Sequence, residues 1–184
     1  MSNSLQNVLT ERRPHVINNS RNDEWYTPPE IIEVARRVMG EIDLDPASSA
    51  IANEIVKAKR FYSIVDDGLT KKWFGRVWLN PPYSRTLIRS FTELAVEKYQ
   101  SREIDEAFVL VNNATETRWC QNLLQNAECL CLINGRVKFY DDRRVQAKSP
   151  LQGQCLFYFG DNIQAFSREC ANIGQVTFLN QGLV

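Results

Sequence analysis

The chain has 184 residues, 43% hydrophobic and 24% charged, with a formal net charge of zero, a mixture that fits one ordinary globular domain with room for a sheet and helices on both sides. No apolar run approaches bilayer length and the polar N-terminus lacks a signal-peptide core, so a cytoplasmic protein is expected. Five scattered cysteines and a lone histidine, His15, argue against a zinc site and against a Ser-His or Cys-His nucleophile.

Residues 1–22 are rich in Ser, Asn and Arg without periodicity and are expected to form a flexible arm, leaving 23–184 as a single domain. Thr27 as N-cap, Pro28 at the first helical position and Glu30 as capping-box partner predict a helix that buries Ile31, Ile32, Ala35, Val38 and Met39 and stops at Gly40. A short strand, Ile42 to Asp45, ends at Pro46-Ala47-Ser48-Ser49, and a helix is expected from about Ser49. Phe61-Tyr62 reads as a strand before a turn at Asp66-Asp67-Gly68. Val77 to Leu79 is a strand by its apolar run, followed by Asn80-Pro81-Pro82-Tyr83 and a helix over Thr86 to Tyr99, with Ser84 and Thr86 as caps. Ala107 to Val111 has the continuous β-branched and apolar character of a central parallel strand. A helix over Thr115 to Asn126, a strand over Glu128 to Ile133 and a hairpin from Gly135 through Val137 to Phe139 follow. Cys129 and Cys131 alternate with Leu130 and Leu132 as buried thiols of that strand. Asp141 to Gln152 is polar and loop-like, and the late strands Gln154 to Phe159 and Gln175 to Leu179 flank a helix near Ile163 to Cys170. Strands alternating with helices predict an α/β fold with an open, mostly parallel sheet flanked by helices.

Asn80-Pro81-Pro82-Tyr83 carries the most chemical information. Two prolines fix φ and remove donors, and Asn80 before proline is extended, so a stiff bend ends the strand with oxygens turned to accept hydrogen bonds. An exocyclic amine such as adenine N6 has its lone pair delocalised into the ring. Two acceptors on its hydrogens, the Asn80 side-chain oxygen and the Pro81 carbonyl, would localise that pair. Tyr83 would stack on the base and favour developing positive charge, so orientation and fixed dipoles could drive methyl transfer without metal. The bland reading is a proline-stiffened loop over a packed tyrosine; its place between strand and helix favours a site.

A methyl donor is then needed, and S-adenosylmethionine suits an α/β fold. No glycine-rich loop follows the first strand. Instead Asp43, Asp45 and Pro46 precede the small residues Ala47, Ser48 and Ser49, where carboxylates suit ribose hydroxyls or an ammonium; an ordinary helix entry is equally common. Asp66 and Asp67 are either a turn or acceptors for an adenine amine. Trp25, Tyr26, Thr27 and Pro28 sit at a helix N-terminus whose N–H groups suit a carboxylate. Basic residues cluster locally despite the neutral balance, best over Arg136, Lys138, Arg143, Arg144 and Lys148, which together with Arg118 are candidates for holding DNA.

Trp25-Tyr26-Thr27-Pro28-Pro29-Glu30, Asp43-Leu44-Asp45-Pro46-Ala47-Ser48, Asp66-Asp67-Gly68-Leu69 with Trp73 and Gly75, and Asn80-Pro81-Pro82-Tyr83 together resemble the phage-type DNA N6-adenine methyltransferase (Dam-like) family from about residue 23 to 160. Leu110-Val111 before Thr115-Glu116-Thr117-Arg118-Trp119, and Gly135-Arg136-Val137-Lys138-Phe139, extend the likeness. The resemblance implies a Rossmann-like, S-adenosylmethionine-dependent methyltransferase of phage or prophage origin, acting on adenine N6 in double-stranded DNA. By position, Asn80 to Tyr83 would hold the base, and Thr27, Pro28, Asp43, Asp45 and Asp67 would line the donor pocket. The chain departs from the family at Asn112-Asn113, where a Pro-Ala pair is common; Asn112 either adds a hydrogen bond beside the base or has drifted neutrally.

N6 inside a duplex is shielded, so the mechanism expected is base flipping and direct transfer. Cytosine N4 and a protein glutamine amide fit the same acceptors, and a catalytically silent nucleic-acid-binding protein of the same fold is the reading outside enzymes. The chain is short for a large target-recognition domain, so recognition is expected from segments near Asn112 to Trp119 and Gly135 to Ser149.

Overall fold

The computed structural model of the chain describes residues 26–141, 145–146 and 152–179. The predicted arm, Trp25, Arg143, Arg144 and Lys148 lie outside the described residues. In chain order the elements are α1 (Pro29–Met39), β1 (Leu44–Asp45), α2 (Ala50–Val56), β2 (Arg60–Phe61), β3 (Arg76–Leu79), α3 (Arg85–Gln100), β4 (Glu106–Asn112), α4 (Arg118–Asn126), β5 (Cys129–Ile133), β6 (Gln154–Phe159), α5 (Ile163–Cys170) and β7 (Gly174–Phe178).

The seven strands form one sheet in the order β2-β1-β3-β4-β6-β5-β7. Side chains alternate across it with the strand period of two. Ala107, Val109 and Val111 of β4 face a cluster with Ile88, Phe91 and Ala95 of α3 and Cys120 and Leu123 of α4. Phe108 and Leu110 face the opposite cluster, with Ile32, Ala35 and Met39 of α1 and Phe166 and Cys170 of α5. Helices therefore cover both faces of the sheet. Strands β1 to β5 run in one direction, but the expectation of a mostly parallel sheet needs correction. β6 inserts antiparallel between β4 and β5, and β7 adds antiparallel outside β5, so three strand pairings are parallel and three antiparallel. The apolar runs of β6 and β5 look the same in either direction once both faces are covered, so composition alone does not reveal this reversal.

The winding of the chain reverses between β1 and β3. From β1 the crossover through α2 leads outward to β2; from β3 the crossover through α3 leads the other way to β4. Right-handed crossovers in opposite directions lie on opposite faces of a sheet. Val56 of α2 accordingly packs with α1, whereas Phe91 of α3 packs in the other cluster. The ends of neighbouring β1 and β3 splay their following segments apart, which opens a crevice between Pro46 and Asn80.

Several local expectations shift. Thr27 does not cap α1: the N-cap is Pro28, with no side-chain hydrogen bond, and Pro29 opens the helix. The first turn is closed by Ile31 N–H donating to Pro28 O at 3.1 Å, and proline at the helix start has no N–H to satisfy. Gly40 ends the helix at φ 84° as expected. The first strand is only Leu44–Asp45, although the Asp43 backbone still bonds Arg76 O and Arg60 N–H on either side, and β2 begins one residue early at Arg60. α4 starts at Arg118, capped by the Thr117 hydroxyl accepting from Cys120 N–H. Residues 136–139 form no hairpin. Val137 and Phe139 are buried in the core, and Tyr140 pairs with Tyr26 through two backbone hydrogen bonds of 2.9 and 3.0 Å. The alternation of Val137 and Phe139 with Arg136 and Lys138 reflects an extended segment docked on the core, not a strand with its own partner. All five cysteines are buried free thiols. Among the described residues, no helix is long and apolar enough to cross a membrane.

Candidate active site

A cavity of ≈ 260 Å³ occupies the crevice where the winding reverses. It is lined on one side by Asp45, Pro46, Ala47, Ser48 and Ser49 from the end of β1, and on the other by Asn80, Pro81, Pro82 and Tyr83 from the end of β3. Tyr26 and Thr27 close one wall, Ser63, Ile64, Asp67 and Gly68 another, and Trp78 and Phe91 contribute apolar surface. Open α/β sheets bind ligands in such a crevice, outside the carboxyl ends of strands where the winding changes direction.

The Asn80 side is a chain of side-chain hydrogen bonds. Asn80 Nδ2 donates to Thr27 Oγ1 at 3.2 Å, and the Tyr83 hydroxyl lies 3.0 Å from Asn80 Oδ1. The same hydroxyl lies 3.0 Å from Gln154 Oε1, and Gln154 Nε2 donates to Asn112 Oδ1 at 2.7 Å. Thr27 thus gives its hydroxyl to orienting the Asn80 amide instead of capping α1. The Tyr83 ring meets Phe139 edge-on, with centroids 6.4 Å apart. Burial pushes the Tyr83 hydroxyl far above the usual phenol range, so it remains a hydrogen-bond donor.

The Asp45 side is short of partners. Asp45 is 2% exposed, and its carboxylate accepts from Ala47 N–H at 3.2 Å. Burial pushes its pKa up to about 7, against the smaller opposing pull of Ser48 and the Ala47 N–H. Ser48 Oγ is buried with no hydrogen-bond partner of ordinary geometry, although it lies near enough to Asp45 to stabilise its charge. A buried hydroxyl without a partner costs about 1–3 kcal/mol unless a ligand group meets it.

The turn over Asp66 to Gly68 closes the cavity. Asp66 accepts from Ser63 N–H at 2.9 Å and from the Ser63 hydroxyl at 2.7 Å, which holds its carboxyl below its usual pKa. Asp67 adopts φ 55° and lies exposed at the rim. Gly68 packs directly on the Pro46 backbone: a Cβ there would stand 1.9 Å from Pro46 O. Only glycine permits this approach, which joins the turn to the end of β1.

The candidate residues fall into three groups. Asn80, Pro81, Pro82, Tyr83, Tyr26, Thr27, Asp45, Pro46 and Asp67 all line the cavity. Pro28 and Asp43 do not. Pro28 caps α1 behind Thr27. Asp43 is turned to Arg76 and Lys59: although burial opposes it, hydrogen bonds from Arg76 Nε at 2.7 Å and Arg76 N–H at 2.9 Å hold its carboxyl well below the usual range. Gly75 at φ 62° lets this backbone contact form. Arg118, Arg136 and Lys138 are exposed, with Lys138 next to Phe139 and hence near the Tyr83 side of the cavity. Gln154 and Ser48 escaped the sequence reading as site residues. The signal for Gln154 was available, since a lone amide opens a strand that is otherwise wholly apolar.

The family model described as DNA N-6-adenine-methyltransferase (Dam) matches residues 15–179. A DNA N-6-adenine-methyltransferase of Escherichia phage T1 is 31% identical over 164 residues, covering 88% of this chain. The chain spans 63% of the length of that relative. No solved structure matches the chain.

Proposed function

The chain belongs to the DNA N-6-adenine-methyltransferase family, and on that premise we propose that it methylates N6 of adenine in double-stranded DNA, with S-adenosylmethionine as donor. The observation that carries the reading is the meeting of the Asn80–Tyr83 bend with Asp45 and the unpartnered Ser48 hydroxyl across one cavity. The residues present fit the donor. Asp45 and Ser48 would take ribose hydroxyls, Asp67 at the rim the adenine amine, and the apolar wall with Ile64 the adenine ring. Tyr26 and Thr27, which close one wall of the cavity, would lie against the methionine end of the donor. The fold reading that goes with this is a Rossmann-like methyltransferase domain over residues 23–184.

S-adenosylmethionine supplies, when bound, a methyl group activated on a positively charged sulfur. The protein's own part is to orient the amine. Asn80 Oδ1 and the Pro81 carbonyl accept the two N6 hydrogens and draw the nitrogen toward tetrahedral geometry, which localises its lone pair. Thr27 fixes which end of the Asn80 amide faces the base. Tyr83 lends its ring to the flipped base, with Phe139 supporting it from the side. A neutral chain has no overall field for DNA, so Arg118, Arg136 and Lys138 would bind phosphates locally, together with Arg143 and Arg144. Action in the cytoplasm of a phage-carrying bacterium accords with the phage T1 relative.

The test is incubation with labelled S-adenosylmethionine and unmethylated DNA, followed by digestion to nucleosides. Labelled N6-methyl-2′-deoxyadenosine is the expected product. N4-methyl-2′-deoxycytidine would transfer the reading to the other exocyclic amine, and no incorporation would reject it.

A further inference from the structure

We propose that Gln154, held in place by Asn112, is a positioning residue that receives the Tyr83 hydroxyl when the target amine claims Asn80. The inference rests on the function proposed above and concerns the same bend. A phenol carries one hydrogen to donate. The Tyr83 hydroxyl nevertheless stands 3.0 Å from two oxygens that can only accept, Asn80 Oδ1 and Gln154 Oε1. It satisfies one of them at a time. The two alternatives are therefore exchangeable states of one hydrogen bond.

The surroundings fix both acceptors in that competition. Asn80 Nδ2 donates to Thr27 Oγ1, so its oxygen faces Tyr83. Gln154, 5% exposed, donates Nε2 to Asn112 Oδ1 at 2.7 Å, so its oxygen also faces Tyr83. Asn112 and Gln154 are directly opposed partners on β4 and β6, which makes the pair rigid. An incoming amine needs Asn80 Oδ1. With Gln154 present, the hydroxyl turns to a second acceptor at equal distance and Asn80 is released without loss of a hydrogen bond. Without Gln154, the buried hydroxyl has Asn80 as its remaining acceptor of the two, and the amine must compete with it.

The experiment is a double-mutant cycle on the full chain with Gln154→Met, which keeps the side-chain length, and Tyr83→Phe, read as kcat and KM for adenine methylation plus donor affinity by calorimetry. Gln154→Met should lower kcat about tenfold, the size of one hydrogen bond, with both KM values and donor affinity unchanged. In the Tyr83→Phe background the same substitution should change kcat by less than about twofold, because the competing hydroxyl is gone. A full loss in both backgrounds, or no loss in either, overturns the inference. Where Gln154→Met fails to unfold cooperatively, Asn112→Leu replaces it: the freed Gln154 amide rotates, kcat falls about threefold, and Tyr83→Phe again erases the loss. A loss that persists there overturns the inference as well. A wild-type chain without methyl transfer rejects the proposed function and this inference with it. An active wild type without coupling rejects this inference alone.

Discussion

Asp45 should make the stability of this protein fall as pH rises through the acid range. Its pKa moves from an ordinary 3.8 to about 7 on folding, chiefly through burial. The native state keeps the proton up to about pH 7 while the unfolded chain loses it near pH 4, so across that window the native state binds more protons. Stability therefore declines with rising pH by up to about 1.4 kcal/mol per unit and levels off above about pH 7, for a total of roughly 4 kcal/mol. Asp45→Asn mimics the protonated carboxyl and offers its amide hydrogens to the neighbouring Ser48 hydroxyl. Urea unfolding of both proteins should show the variant ahead by roughly 1.5 kcal/mol at about pH 5 and by roughly 4 kcal/mol at about pH 8. At about pH 8, where Asp45 is ionised, the same variant should bind S-adenosylmethionine about tenfold more weakly, since a charge-assisted acceptor for a ribose hydroxyl is gone. Unfolding curves separated by one constant offset across the whole range would refute the burial argument.

Three further outcomes follow from the site. Asn80→Ala should reduce methyl transfer at least about 100-fold while donor affinity by calorimetry stays within about twofold, as expected for a group that acts on the reacting amine; a variant that retains turnover would remove Asn80 from its role. Gly68→Ala forces a Cβ to within 1.9 Å of Pro46 O, and should cost about 1–3 kcal/mol in thermal unfolding and abolish donor binding; intact donor binding would show that the turn does not shape the pocket. Replacing Arg136 and Lys138 together by Gln should flatten the plot of log DNA affinity against log salt by about two, with donor affinity unchanged; an unaltered slope would place the DNA elsewhere.

The fold was legible wherever one segment determines its own structure. The apolar runs before Asn80 and within Ala107 to Val111 are strands, too short for a buried helix and rich in valine and aromatic residues, and the Ser84 hydroxyl accepting from Leu87 N–H is a local cap. Reading failed where a residue's partner lies far away in the chain. Thr27 has the composition of an N-cap, but its hydroxyl is claimed by Asn80, which is 53 positions away. Val137 and Phe139 alternate like a strand, but their partner is the core, and the pairing at Tyr140 goes to Tyr26. Asp43 and Asp45 look equivalent two residues apart, and a period of two would set both on one face; their fates differ by position along the chain, Asp43 lying before β1 against Arg76 and Asp45 ending the strand at the cavity.

The same reasoning explains why the candidate site was easier to find than to describe. Both motifs end strands, and a strand end followed by a stiff or small-residue segment declares itself in sequence. Their adjacency is a different matter. It arises because β1 and β3 are neighbours while the crossovers from them depart in opposite directions, a property of the strand order and of no residue in particular. Gln154 belongs to this second kind of information. It reaches Tyr83 only because β6 enters the sheet antiparallel beside β4, setting Gln154 opposite Asn112 at the end of β4. The reversal of β6, which the apolar pattern concealed, is thus what brings an amide to the back of the Asn80–Tyr83 bend.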